Sequence, residues 1–177
     1  MAVVLVLAGC EREAEAPTTE ASAVPSKGID RSHSGKPAPD VEIKDAKDEP
    51  ASLADVAGKP LLVNIWATWC APCVKELPTL DALSRRAGAP RVIAVSQDIA
   101  PRASVEAFLD RHKVTDLEAW HDPAMSLSGA LGAEVLPTTI YYDARGRELW
   151  RYVGDLDWTG AEAARLLGEA SRIAAAN

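Results

Sequence analysis

Two cysteines three residues apart stand just beyond a six-residue, almost wholly apolar run, and this conjunction constrains the fold more than any other feature. Leu61-Leu62-Val63-Asn64-Ile65-Trp66 is rich in large aliphatic and β-branched residues. Its length and continuity predict a strand buried on both faces, as in a parallel sheet covered by helices. Trp69-Cys70-Ala71-Pro72-Cys73 follows, and from Val74 onward Leu77, Leu80 and Leu83 recur at helical spacing. The chain therefore leaves a buried strand and enters a helix, with the cysteines in the helix's first turn. Pro72 is tolerated there because its missing N–H would have no helical partner. Pro78 falls inside the helical stretch 74–87 and is expected to kink it.

That placement has a chemical consequence. Residues three apart on a helix lie about one turn from each other, so both sulfurs face one side and can bond. The free N–H groups and the dipole of the helix start point at Cys70 and favour its thiolate, the attacking species. Cys70 is expected to be exposed and nucleophilic. Cys73, deeper in the helix, is expected to resolve a mixed disulfide. A structural zinc site would need four ligands, and His33, His112 and His121 form no matching cluster. A purely structural disulfide closing so short a loop would remove little chain entropy. The pair itself is read as the redox centre, with no metal and no bound cofactor.

The rest of the chain supplies a mixed α/β fold. Its 177 residues allow one domain and a tail. Short edge strands are expected at 41–43 and 51–53, forming a hairpin around a polar turn. Further strands are expected at 91–96, 117–121, 138–142 and 148–153, and helices at 104–112, 123–131 and 157–175, with Gly132 ending the second of these. This order predicts a mixed central sheet with helices on both faces. Tyr141, Tyr142, Trp150 and Trp66 are read as core or edge residues, and His121 as a surface or hydrogen-bonded histidine. Leu136-Pro137-Thr138-Thr139 leads straight into a strand, where Pro belongs at the first position, and Pro137 is expected to be cis. A net charge of −7, from 26 acidic and 19 basic residues, argues against nucleic-acid binding.

The amino end reads differently. Residues 1–9, MAVVLVLAG, are apolar, and Cys10 follows at once. An export signal also needs a basic start, so the true start is expected upstream. Leu7-Ala8-Gly9-Cys10 resembles a bacterial lipobox, which implies cleavage before Cys10 and acylation of its sulfur. The alternative is a buried cysteine on a short strand. Residues 11–39 have few large aliphatics and no aromatic, so they are expected to form a flexible tether. The domain proper is expected over 40–177.

The stretch Val63-Asn64-Ile65-Trp66-Ala67-Thr68-Trp69-Cys70-Ala71-Pro72-Cys73-Val74-Lys75-Glu76-Leu77-Pro78 resembles the TlpA/ResA branch of membrane-anchored thioredoxin-like proteins, and Leu136-Pro137-Thr138-Thr139 matches that branch's cis-proline loop. The resemblance covers nearly the whole domain. It implies a thioredoxin fold with a central insertion before the cis-proline, and thiol–disulfide exchange on the periplasmic face of a bacterial membrane. It also implies protein clients, such as apocytochrome c or copper-site and oxidase-assembly proteins, and a membrane electron donor of the DsbD/CcdA type. A monomer is expected. Asn64 stands where ordinary thioredoxins carry a titrating Asp. The ResA-like branch uses a Glu three residues after the second cysteine, and Glu76 stands there, one turn from Cys73. The plainer reading of Glu76 is an exposed surface residue. Trp69 is expected to shield the disulfide and offer an apolar surface to a partner. Two other activities fit the same pair: a DsbA-like oxidant, and a Cu(I)-binding assembly chaperone, since two thiolates can hold Cu(I).

Overall fold

The structure, a computed structural model, describes residues 26–176. Its strands are β1 (Gly28–Asp30), β2 (Ile43–Lys44), β3 (Pro50–Ala51), β4 (Leu61–Trp66), β5 (Arg91–Ser96), β6 (Glu118–His121), β7 (Thr138–Tyr142) and β8 (Glu148–Val153). They form one sheet in the order β1-β8-β7-β4-β5-β6-β2-β3. The central strands β4, β5 and β6 are parallel, and the remaining pairings are antiparallel. The helices are α1 (Ala71–Ser84), α2 (Arg102–Arg111), α3 (Ser126–Leu131) and α4 (Ala161–Ala176).

All six residues of β4 are buried, and their alternation separates two cores. Leu62 and Trp66 pack with Leu77 and Leu80 of α1, Val105 and Leu109 of α2, and Leu166 of α4. Leu61, Val63 and Ile65 face Leu127 and Leu131 of α3 on the other side. Helices thus cover both faces, as the continuous apolar run predicts. Tyr141, Tyr142 and Trp150 are core residues. His121 is buried, with its Nε2 2.8 Å from the Asp98 carbonyl oxygen.

Several boundaries move, each for a local reason. Helix α1 starts at Ala71 rather than 74, because Cys70 is its N-cap, and it continues through Pro78. Helix α3 starts at Ser126 rather than 123. The Asp122 carboxylate accepts the Ser126 and Leu127 N–H groups, and Met125 adopts a left-handed conformation. Residues 157–160 form a turn in which Asp157 accepts from the Thr159 N–H and hydroxyl, so α4 begins only at Ala161.

The expected tether over 11–39 needs correcting in its second half. Gly28, Ile29 and Asp30 pair with Val153, Tyr152 and Arg151, adding an edge strand to the sheet. Ile29 packs on the larger core, and the Gly35 N–H donates to the Glu148 carbonyl at 2.7 Å. Backbone pairing along the free edge of β8 orders a segment whose side chains alone would not. Residues 1–10, with Cys10, and residues 11–25 lie outside the described residues.

Candidate active site

Strand β4 ends at Trp66, and a turn in which the Cys70 N–H donates to the Ala67 carbonyl (3.1 Å) delivers Cys70 to the head of α1. Cys70 is bonded to Cys73, with Cα atoms 5.3 Å apart. The Cys73 backbone N–H donates to Cys70 Sγ at 3.3 Å. A free donor of the helix start is thereby aimed at the first sulfur, as its position in the sequence predicts. Cys70 is not exposed as expected. It is only 6% accessible, because its sulfur folds back onto the helix start and Cys73, while Trp69 beside it is 70% accessible. Pro72 occupies the second helical position, where no N–H is needed.

One turn below Cys73, Glu76 is 2% accessible, so the surface reading does not hold. Its Oε1 accepts from Asn64 Nδ2 at 2.7 Å, and its Oε2 accepts from the Leu156 N–H at 3.0 Å and Trp158 Nε1 at 3.3 Å. Burial pushes the Glu76 carboxyl up to about 7, against these three donors, which pull it down; the nearby Asp155 adds to the rise. Asn64 Nδ2 also donates to Thr139 Oγ1 at 2.9 Å, across the β4–β7 register that sets Asn64 opposite Thr139. A cleft of about 220 Å³ beside it is lined by Lys75, Glu76, Thr79, Asp155, Leu156 and Asp157. Asp155 at its rim pairs with Lys27 (2.5 Å) and Lys75 (3.7 Å).

Leu136-Pro137 is a cis peptide, as expected, and leads into β7. The Pro137 carbonyl accepts from the Gly154 N–H at 2.8 Å, and Leu136 packs against both cores. Gly154 has φ +90°, and a Cβ there would stand 2.9 Å from Lys27 Cγ. The fold therefore assembles Asn64, Cys73 and Glu76 at one end of α1. Trp158 and Leu156 escaped the sequence reading, since they belong to no motif and lie about eighty residues from Glu76.

A model of the Redoxin family matches residues 33–167. The chain belongs to this family. It is 34% identical to the thiol:disulfide interchange protein DsbE of Pseudomonas fluorescens over 70% of its own length and 68% of that protein. It is 29% identical to the thiol-disulfide oxidoreductase ResA of Bacillus anthracis over 68% and 70%. With the thioredoxin-like protein YneN of Bacillus subtilis it shares 39% identity over 46% of its length, about half (49%) of that protein. The pneumococcal exposed lipoprotein thioredoxin Etrx1 of Streptococcus pneumoniae has the same fold, with a TM-score of 0.61 at 23% identity over 74% of this chain and 99% of that one. The Cys70–Cys73 centre is thus that of a ResA- and DsbE-like thiol–disulfide oxidoreductase with a thioredoxin fold.

Proposed function

We propose that the chain is an exported reductant of protein disulfides, held by a lipid on Cys10 at the periplasmic face of a bacterial membrane. The observation that carries the reading is the Cys73 N–H directed at Cys70 Sγ from the head of α1. In the reduced enzyme that donor and the helix dipole favour a Cys70 thiolate. The thiolate attacks one sulfur of a client disulfide, forming a Cys70–client bond and expelling the client's other sulfur as a thiolate. Cys73 then loses its proton, attacks Cys70 Sγ and releases the client's second thiolate. Two electrons pass to the client, and the Cys70–Cys73 disulfide is left. Glu76, one turn away and poised near neutrality, is the group that takes the Cys73 proton and passes it to the cleft. Asn64 holds Glu76, and the Leu136-Pro137 loop and Trp69 form the surface that receives the client.

The clients are apocytochrome c or copper-site and oxidase-assembly proteins. A membrane dithiol protein of the DsbD/CcdA type returns the electrons. The chain works as a monomer, needs no cofactor besides its cysteine pair and binds no nucleic acid. Among the described residues no helix is long and apolar enough to cross a membrane.

A redox titration against glutathione tests the direction. A potential near that of thioredoxin, about −270 mV, is expected, and one near about −120 mV would make the chain an oxidant. A Cys73→Ala variant should accumulate mixed disulfides with clients, and Cys70→Ser should form none.

A further inference from the structure

A second buried carboxylate lies under the active-site turn, and the exchange chemistry leaves it without a role. Asp98, two residues beyond β5, is 3% accessible. Its carboxylate accepts from the Thr68 backbone N–H (3.0 Å), the Thr68 hydroxyl (2.5 Å) and the Ser96 hydroxyl (2.6 Å). Ser96 Oγ accepts the N–H of Asp98 in return at 3.1 Å. The Asp98 carbonyl meets His121 Nε2, which ties the same residue to β6. Among the described residues no Lys or Arg pairs with this carboxylate, so its partners are the groups of two neighbouring strand ends.

Thr68 lies inside the turn from Ala67 to Cys70. The β4–β5 ladder ends at the Trp66–Ser96 pair, and the Gln97 N–H donates to the Trp66 carbonyl at 2.8 Å. Beyond that point no strand pairing holds the turn, and the Asp98 carboxylate grips it by the N–H and the hydroxyl of Thr68. In the oxidised enzyme the disulfide also fixes Cys70 on α1. Once the disulfide opens, that restraint is gone, and what keeps Cys70 Sγ at the Cys73 N–H is the turn on one side and the Val74 N–H bond to the Cys70 carbonyl (3.1 Å) on the other.

We infer that Asp98 is a positioning residue for the reduced enzyme: by clamping Thr68 it holds the Cys70 thiolate at the head of α1. The inference rests on the proposed nucleophilic role of Cys70 and deepens it. It separates from a plain charge effect. A buried carboxylate acting only through its charge would disfavour the nearby thiolate, so its removal would make Cys70 more acidic. A clamp does the opposite.

The test follows iodoacetamide alkylation of Cys70 against pH in the full-length reduced protein, read at that residue by peptide mass spectrometry. Asp98→Asn and Thr68→Val are compared with the parent, and Thr68→Ser serves as the conservative rescue. Thr68→Val keeps the Asp98 charge and removes one arm of the clamp, so it remains decisive if Asp98→Asn does not fold. Both variants should raise the Cys70 inflection by about one pH unit, toward the free-thiol value of about 8.5, with alkylation about fivefold to tenfold slower near pH 6. Thr68→Ser should match the parent. An unchanged inflection accompanied by a lower melting temperature would reduce Asp98 to a structural residue and overturn the inference. So would a lowered inflection in Asp98→Asn with none in Thr68→Val. Failure of the proposed function would show instead in the parent, as a Cys70 no more acidic than a free thiol.

Discussion

Replacing Glu76 by Gln measures what burial of this carboxyl does to the protein. The group sits at about 7 in the folded chain against an ordinary value of 4.5. Below pH 4.5 it is protonated in both folded and unfolded chains and has no differential effect. As pH rises, the unfolded chain releases the proton first while the folded chain retains it, so stability falls through the window from 4.5 to about 7. That gap, at roughly 1.4 kcal/mol per pH unit, makes the loss about 3 kcal/mol by pH ~8. Gln carries no charge and escapes the loss. Its carbonyl oxygen can face the Leu156 N–H and Trp158 Nε1. Its amide then faces Asn64, whose Oδ1 has no partner among the described residues and accepts once the Asn64 amide turns over. Urea unfolding of both proteins, disulfide intact, from about pH 4 to about pH 8 gives the comparison. The stability difference should shift by about 3 kcal/mol in favour of Gln across that range, whatever its constant offset. A flat difference would show that Glu76 titrates as an ordinary carboxyl and would remove the basis for its proton-transfer role.

Three further outcomes follow from the packing. Arg151 and Glu148 form a bidentate pair (2.7 and 2.8 Å) that is almost wholly buried, with Arg151 Nη1 also donating to the Leu131 carbonyl. Arg151→Met strands the Glu148 charge and should cost about 3–5 kcal/mol in chemical denaturation, much of it recovered by adding Glu148→Gln. Leu77→Ala in α1 opens a cavity beneath the site and should cost about 2–5 kcal/mol, read from the urea midpoint, while the glutathione equilibrium constant stays within about twofold. Gly154→Ala forces a side chain to φ +90° against Lys27 and should cost roughly 1–2 kcal/mol by thermal melting, and a loss of a few tenths would refute the strain argument.

What could be read in the sequence was whatever a short window carries. β4 announces itself because a strand buried on both faces must be apolar at every other position on each side, and the cysteine pair follows within one turn. Pro137 was legible for the same reason, as a Pro at the mouth of a strand. β1 was not: Ile29 alone makes no pattern, and the interaction that orders it is the backbone edge of β8, over a hundred residues away. Long range also hid the character of Glu76. Helical spacing placed it near Cys73, yet its burial depends on the 156–158 segment folding back over α1, and nothing in Leu156 or Trp158 signals that. The burial of Cys70 is not legible either, because the sequence shows the helix start and not how closely the sulfur lies upon it.

The head of α1 and its second turn act on charge in opposite senses. At the head of α1 the unpaired N–H groups lower the cost of charge on Cys70. One turn down, burial raises the cost of charge on Glu76, and with it the readiness of that group to carry a proton near neutral pH. In the proposed mechanism one sulfur is presented as an anion while the other stays a thiol until a base takes its proton, and this difference serves both needs. The helix supplies it by placing the first cysteine at its N-cap and the second within its first turn. The sheet contributes the rest: Asn64 reaches Glu76 from β4, and Asp98, just past the end of β5, holds the turn that fixes where the helix begins.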